Sequence, residues 1–304
     1  MGGGAAGHTG TARFASAVGG GRAMVERPVL VLGATGGQGG AVVAALLERG
    51  AEVRALVRDP GRESARRLGE RGVAVVAGSL DDADSLAAAM SEVAAVFAVT
   101  TPFESGVDAE VRQGGAILAA AHRARVPHLV FSSVAGADQD SGVPHFESKA
   151  RIEAELRSGD VPWTVLGPTY FFDNALGGAD RIRDGVLDLP LPPDRPLQQL
   201  ARPDLGAFAA EVLLRPGAHV EQRIELASDA PTPTGMAAAL SHALGREVRH
   251  RQVPLEAIGN ADMLAMWRFL NGPGYRVDID ALHRAHPEIG WTGFADWARH
   301  AFAR

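Results

Sequence analysis

The chain of 304 residues contains no cysteine and only one lysine, Lys149. The lack of cysteine excludes disulfides, thiol catalysis and thiolate metal sites. Aromatic residues make up only 6%, and no run approaches the roughly 18 apolar residues that a membrane span needs. The net charge is −6 and no basic block stands out, which argues against direct nucleic-acid binding through an electrostatic patch.

The first 26 residues are rich in glycine and alanine and show no hydrophobic period. They lack the continuous apolar core of a signal peptide. We therefore expect a disordered tail, with either Met1 or Met24 as the natural start, and a cytoplasmic protein. The remaining composition, 46% apolar and 22% charged overall, is typical of a globular chain with one large or two modest domains.

From residue 28 onward, short apolar runs alternate with longer amphipathic segments. Strands are predicted at 29–32, 52–57, 73–76, 94–99, 128–131 and 163–166, and helices at 38–49, 81–90, 105–123 and 145–158. This alternation predicts an α/β fold with a doubly wound parallel sheet. After about Tyr170 the rhythm changes to short strands, at 223–226 and 247–252, and several helices, which predict a smaller α+β domain over the carboxyl edge of the sheet.

A glycine-rich turn follows the first strand directly. The residues Gly33-Ala34-Thr35-Gly36-Gly37-Gln38-Gly39-Gly40 lie between a predicted strand and a predicted helix. Glycines let the backbone turn tightly and approach a pyrophosphate, and the helix amino end supplies free N–H groups and a favourable dipole. The turn, in this context, predicts dinucleotide binding.

The end of the second strand indicates which dinucleotide. An acidic residue there holds the ribose 2′-hydroxyl of NAD, whereas an arginine accommodates the 2′-phosphate of NADP. The strand ends in Arg58, and Asp59 is next. We expect NADP(H) if Arg58 points into the site, since a guanidinium pairs bidentately with phosphate; a one-residue slip would present Asp59 and favour NAD.

Together these features resemble the NmrA-like branch of the atypical short-chain dehydrogenases/reductases. The resemblance runs from about Arg27 to the carboxyl terminus and rests on the glycine turn, Arg58 and the segments 143–149, 167–174 and 292–297. His-Phe-x-x-Lys and Pro-x-x-Phe-x-x-Asn are its more specific motifs. It implies a Rossmann domain over 27–168 that binds NADP(H), and a substrate- or partner-binding region over 169–304 that can return strands to the Rossmann sheet.

The resemblance also implies which residues contact the cofactor. They are Gly33, Thr35, Gly36, Gln38 and Gly39 at the pyrophosphate, Arg58 at the 2′-phosphate, Ser79 and Leu80 at the adenine, Thr100, Thr101 and Pro102 at the nicotinamide ribose, Ser132 and Lys149 beside it, and Phe171 and Asn174 near the nicotinamide. The chain departs from the family at Ser79, where relatives often have an acid, and at Gly167, where they often have arginine.

The parent superfamily uses Tyr-x-x-x-Lys, in which the tyrosine protonates the substrate and the lysine holds the ribose. Neither Tyr170 nor Tyr275 stands four residues before a lysine, and His145 occupies the tyrosine's position. Three interpretations stay open. His145 donates the proton itself, since the ordinary pKa of histidine is about 6.5; or the site keeps Lys149 only to hold the cofactor and little chemistry occurs; or His145 is simply a residue at the start of a helix after Pro144. Ser132 and Ser133 occupy the region where the superfamily places a substrate-orienting serine.

Two further patterns in the sequence are weaker. His283 and His286 lie three residues apart without a third ligand at suitable spacing, so no metal site is expected. The apolar stripe that contains Met263, Met266, Trp267 and Phe269 predicts core, a pocket wall or a dimer face.

Two functions remain open from sequence. The first is an NADP(H)-binding redox sensor or regulator with a protein partner; the second is an NADPH-dependent reductase of a hydrophobic ketone, quinone or similar acceptor. A homodimer is possible under both.

Overall fold

The computed structural model describes Met1 and residues 27–302. The predicted disordered tail, and with it the question of Met24 as the start, lies outside the described residues. In the part that is described, no helix is long and apolar enough to cross a membrane.

The described residues form strands and helices that alternate through the first part of the chain and are less regular after it. The strands are β1 Val29–Leu32, β2 Val53–Val57, β3 Ala74–Ala77, β4 Ala95–Val99, β5 Leu129–Ser132, β6 Trp163–Pro168, β7 Tyr170–Phe171, β8 Val186–Leu189, β9 Gln199–Leu200, β10 Gln222–Leu226 and β11 Arg249–Gln252. The helices are α1 Gly37–Glu48, α2 Glu63–Glu70, α3 Ala83–Ala89, α4 Val107–Ala124, α5 Pro144–Ser158, α6 Ala179–Arg183, α7 Arg202–Leu214, α8 Pro233–Leu244, α9 Ala261–Asn271, α10 Ile279–Ala285 and α11 Phe294–Ala301.

The main sheet has seven parallel strands in the order β10-β6-β5-β4-β1-β2-β3. This is the doubly wound arrangement expected from the sequence. The chain order reverses between β1 and β4, and ligands of open α/β sheets bind at such a switch point. Each of the six predicted strands begins and ends within two residues of the corresponding observed strand. Helix α2 was not predicted.

Helices cover both faces of the sheet. Helices α1 and α7 pack on one face, and α3, α4 and α5 pack on the other. The fit of α7 on α1 is tight, because a Cβ at Gly206 would lie 2.4 Å from the carbonyl oxygen of Ala41. Thus the segment after residue 168 adds one strand, β10, and one helix, α7, to the nucleotide-binding layers.

The rest of the carboxyl-terminal segment forms a smaller α+β lobe. Parallel pairs β8–β11 and β7–β9 and helices α8, α9 and α11 surround its own apolar core. Three members of the predicted stripe, Met266, Trp267 and Phe269, are buried in this core, and Met263 packs against it. Phe146 of α5 belongs to the same core, so α5 joins the lobe to the sheet.

Candidate functional site

The glycine turn bends where only glycine fits. Gly33 has a φ of +70°, and a Cβ there would lie 2.8 Å from Val99 Cγ1. A Cβ at Gly39 would lie 2.3 Å from the carbonyl oxygen of Gly33, so the first turn of α1 lies directly against the loop. The amide of Gly40 donates to Gly36 O at 2.8 Å as the helix begins. The N–H groups before it have no acceptor within the helix, and so they suit an anion.

A cleft of about 360 Å³ opens over this turn at the carboxyl edge of the sheet. Ten of the predicted cofactor residues line it: Gly33, Thr35, Gly36, Gln38, Gly39, Arg58, Ser79, Leu80, Thr100 and Thr101. The sequence did not predict Glu104 or the pair formed by Gln113 and Asp81, in which Gln113 Nε2 donates to Asp81 Oδ1 at 3.1 Å. The lining does not include Pro102, Ser132, Lys149, Phe171 or Asn174.

Arg58 and Glu104 form the rim of this cleft. Their side chains are 71% and 61% exposed, and Arg58 Nη1 lies 3.0 Å from Glu104 Oε2. Asp59 does not line the cleft; its Oδ1 accepts the N–H of Gly61 at 2.8 Å and stabilises a turn. The arginine, and not the acid, is therefore the strand-end side chain that faces the site.

Lys149 lies beneath the cleft, between the ends of β4 and β5. Its Nζ donates to Thr100 O at 2.6 Å and to Thr100 Oγ1 at 3.0 Å, and it lies 3.4 Å from Ser132 O. Glu110 Oε1 is 3.0 Å away. Four oxygen atoms thus surround an ammonium that has three hydrogens to donate.

The partner of this lysine is fully buried. The side chain of Glu110, in the first turn of α4, has no exposed surface, and it also accepts from Thr100 Oγ1 and Ser148 Oγ. Burial lowers the pKa of Lys149, and the carboxylate of Glu110 opposes that shift. The ammonium is consequently bonded to groups of the protein itself. That Lys149 also holds the ribose of a bound cofactor stays a prediction.

The two strand-end serines also bond within the protein. Ser132 Oγ donates to Gln38 Oε1 at 2.7 Å, which connects β5 to the glycine turn. Ser133 Oγ donates to Glu153, a buried carboxylate that also accepts from Arg223 Nε at 3.1 Å. Ser133 therefore belongs to a buried network with β10.

His145 lies one turn before Lys149 but faces the carboxyl-terminal lobe. Its Nδ1 is 2.7 Å from Asp262 Oδ1, and its ring lies 5.7 Å from that of Phe103. Phe103 belongs to the loop after β4 whose neighbours Thr101 and Glu104 line the cleft. A histidine whose Nδ1 bonds to a carboxylate has a fixed ring orientation and a second nitrogen, Nε2, for proton transfer.

Arg202 was missed by the sequence reasoning. It begins α7, and its guanidinium occupies the space beside Gly37, where a Cβ would approach it to 2.7 Å. Its Cζ is 6.0 Å from the ring centre of Phe171, and its Nη1 is 3.6 Å from Asp173 Oδ1. Packing of α7 on α1 thus places a cation beside Gly37 of the glycine turn, although Arg202 is not among the residues that line the cleft. The sequence carries no local signal for this placement.

Asn174 lies outside the cleft. It lines a second cavity of about 280 Å³ in the carboxyl-terminal lobe, together with Tyr170 and Trp267. Among the described residues, no group of three or more His, Cys, Asp or Glu side chains could hold a metal ion. His283 instead stacks on Trp291 at 4.7 Å, and His286 lies 3.3 Å from Glu288.

Comparison with known proteins identifies the family. The model of the NmrA-like family matches residues 26–298. The chain belongs to the NmrA-like family. It is 35% identical to an NAD(P)H azoreductase from Xenophilus azovorans over 229 residues, which are 75% of this chain and 78% of that relative.

Solved structures agree with this NmrA-like fold. A quinone oxidoreductase from Escherichia coli, described as NADPH-dependent and complexed with NADPH, superimposes with a TM-score of 0.76 and 25% identity over 90% of this chain and 99% of the other. The triphenylmethane reductase of Citrobacter sp., complexed with NADP(H), gives 0.77 and 24% over the same shares. The NmrA-like chain therefore has the same fold as proteins crystallised with this cofactor.

Proposed function

We propose that this NmrA-like protein is an NADPH-dependent reductase of a small hydrophobic acceptor, such as a quinone, ketone or azo compound. The observation that carries the proposal is the His145–Asp262 pair. The ring of His145 packs on Phe103, whose chain neighbours Thr101 and Glu104 line the cleft. The pair supplies a positioned proton donor in a chain whose sequence has no Tyr-x-x-x-Lys. The names of the azoreductase and quinone oxidoreductase relatives support the same reaction class.

The residues of the cleft fit NADP(H). The glycine turn and the amino end of α1 suit the pyrophosphate, and Arg202 adds a positive charge there. Arg58 faces the cleft, and Glu104, the acid at the rim with which it pairs, is exposed. A 2′-phosphate can therefore replace Glu104 as the partner of Arg58 at a small cost in free energy. Lys149 fixes Thr100 and Ser132, and so it shapes the floor on which the nicotinamide ribose would rest.

The chemical step needs a hydride and a proton. Bound NADPH supplies the hydride. His145, held through Nδ1 by Asp262, donates the proton from Nε2 to the acceptor atom that does not take the hydride. In a carbonyl this atom is the oxygen, which becomes a hydroxyl, and in an azo group it is the second nitrogen, which becomes the N–H of a hydrazine. The imidazole, whose side chain is partly buried, then takes a new proton from solvent. Asp262 acts as a positioning residue, because it keeps the ring in one orientation and stabilises the imidazolium.

The test is NADPH oxidation with a panel of quinones, azo dyes and ketones. We expect at least one class to be reduced. His145→Phe should abolish turnover and leave NADPH binding unchanged. Asp262→Asn should lower kcat and shift its pH profile, with KM little changed. An absence of NADPH oxidation with every acceptor, or full activity in His145→Phe, contradicts the proposed reaction.

A redox sensor is the second candidate. One observation favours it: the hydrogens of the lysine ammonium are already used within the fold, and the usual acid is missing. A sensor binds NADPH and NADP with different affinities and passes that difference to a protein partner. Tight NADPH binding without turnover would favour the sensor over the reductase. A cytoplasmic location, a homodimer and the substrate- or partner-binding role of 169–304 remain predictions.

A further inference from the structure

The loop that follows β4, residues 100–106, exposes one aromatic ring to solvent. Phe103 is 69% exposed, more than any other large hydrophobic residue between residues 27 and 302. Of the ten phenylalanines in that range, eight are buried and Phe171 is partly buried. An exposed phenylalanine gives up the free energy that burial of its ring would contribute. Phe103 therefore departs from the pattern of the rest of the chain.

Hydrogen bonds within the loop fix the place of this ring. Gly106 N donates to Pro102 O at 2.7 Å, and Phe103 N donates to Thr101 Oγ1 at 3.4 Å. Gly106 has a φ of +86°, which a glycine adopts without strain. Glu104 adds the ion pair at the rim of the cleft. The loop is thus bonded along its length, and it holds the exposed ring in a defined position.

The side chains of the loop point in two directions. Thr101, Glu104 and Ser105 line the nucleotide cleft, whereas Phe103 does not. The ring of Phe103 instead lies 5.7 Å from that of His145, the proposed proton donor, with an angle of 54° between the two planes. The rings do not stack, so the imidazole leaves most of the phenyl surface uncovered. The loop therefore borders the cofactor with polar groups and the proton donor with an aromatic face.

The size of this apolar surface suits a small molecule. Phe103 supplies the only exposed apolar side chain of residues 100–106, because Pro102 is buried and the others are polar or glycine. A standard protein interface needs about 800 Å² on each partner, far more than one ring provides. A flat aromatic molecule can cover such a ring, and contacts between aromatic rings are favourable beyond the area that they bury.

We propose that Phe103 is the platform on which a flat aromatic acceptor stacks, and that the protein selects such acceptors over non-aromatic ketones. An acceptor that lies on Phe103 lies next to the imidazole of His145, at the edge of the sheet where the nucleotide cleft opens. The stacking role rests on the proposed reductase function, since it needs an acceptor beside the proton donor. It narrows the acceptor to aromatic quinones and aromatic azo compounds.

The test compares 1,4-naphthoquinone with 1,4-cyclohexanedione, which also carries two carbonyls on one ring but has no aromatic ring. The chain contains no cysteine, so the quinone meets no thiol with which to react. Calorimetric titrations use the full chain in saturating NADP, which has no hydride to give, so that binding is measured without reaction. We expect the native chain to bind the naphthoquinone at least about fivefold more tightly than the cyclohexanedione.

Two substitutions at one position separate the aromatic ring from its apolar character. Phe103→Leu stays apolar and should weaken naphthoquinone binding about fivefold, whereas Phe103→Tyr keeps the ring and should stay within about twofold of the native chain. The position is exposed, so neither change disturbs the core. Val220→Ser is the control: it removes an exposed apolar side chain just before β10, at the opposite edge of the sheet, and should bind the naphthoquinone like the native chain.

Turnover with NADPH distinguishes the stacking role from the reductase activity. The KM for 1,4-naphthoquinone should also rise in Phe103→Leu. Weaker binding in Phe103→Leu, without NADPH oxidation by any acceptor, would support the platform and contradict the reductase. NADPH oxidation with the same KM in the native chain and in Phe103→Leu would support the reductase and overturn the platform.

Three results of the binding titrations would also overturn the platform. They are no binding of 1,4-naphthoquinone to the native chain, equal affinity for the two compounds, and unchanged naphthoquinone affinity in Phe103→Leu.

Discussion

The floor and the rim of the nucleotide cleft each carry one cation, and the two are held in opposite ways. Lys149 at the floor is 9% exposed and bonds to a carboxylate with no exposed surface. Arg58 at the rim is 71% exposed, and its partner Glu104 is 61% exposed. Removing one member of a buried ion pair strongly destabilises the folded protein, because the other charge is left buried and unpaired. An exposed pair can exchange its partners at little cost in free energy. We therefore expect the pair at the floor to maintain the fold and the arginine at the rim to exchange Glu104 for a ligand.

The largest expected effect concerns the floor. Lys149→Met should lower the free energy of unfolding by about 3–5 kcal/mol, because it leaves Glu110 charged and buried without its partner. Urea denaturation measures this loss. The double variant Lys149→Met/Glu110→Gln should recover part of it. If Lys149→Met instead kept its stability and lost NADPH affinity, the ammonium would be a ribose ligand and not a structural cation.

At the rim, Arg58→Ala should weaken NADPH binding about tenfold and leave NADH binding unchanged, since only NADPH carries the phosphate that a guanidinium pairs with. Stability should change by less than about 0.5 kcal/mol, as is usual for exposed positions. Fluorescence titration with both nucleotides measures the difference. Arg66→Ala, an exposed arginine on α2 outside the cleft, is the control. Equal losses for NADPH and NADH would contradict the 2′-phosphate role.

Arg202 tests whether the carboxyl-terminal segment completes the cleft. Arg202→Leu should weaken both nucleotides to a similar extent, by somewhat less than tenfold, because both carry the pyrophosphate. The same titrations serve here, repeated at higher salt, where the effect should shrink. Arg215→Leu, at the other end of α7 and 78% exposed, should bind like the native chain. Unchanged affinity in Arg202→Leu would show that this cation does not reach the cofactor.

The smallest effect is expected from Glu104. Glu104→Gln removes the anion that now pairs with Arg58, so NADPH affinity should rise by roughly threefold, in line with the modest strength of an exposed pair. NADH affinity should rise less. A fall in NADPH affinity would mean that Glu104 itself bonds to the nucleotide.

The contrast between the rim and the floor of the cleft also shows which features could be predicted from the sequence. The sheet, most of its helices and the glycine turn follow from local patterns: strand and helix periods, and glycines at close approaches such as Gly33 and Gly39. Arg58 was found because its place after β2 is fixed by that local framework. These features depend on neighbours within a few residues along the chain.

The remaining parts of the site depend on distant pairs. The sequence singled out Lys149 but not its partner. Glu110 lies 39 residues earlier on another helix, and it pairs with the ammonium because α4 packs on α5. Asp262 reaches His145 across 117 positions, and Arg202 reaches Gly37 only because α7 packs on α1. No local pattern specifies such contacts, because the tertiary fold alone sets their geometry.

The central claim is that the cleft binds NADPH and that Arg58 at its rim recognises the 2′-phosphate. Equilibrium titration of the native chain with NADPH and NADH tests this claim most directly. The account predicts one NADPH per chain, bound at least tenfold more tightly than NADH, with the preference lost in Arg58→Ala. Equal affinity for the two nucleotides, a preference for NADH, or no binding of either would contradict it.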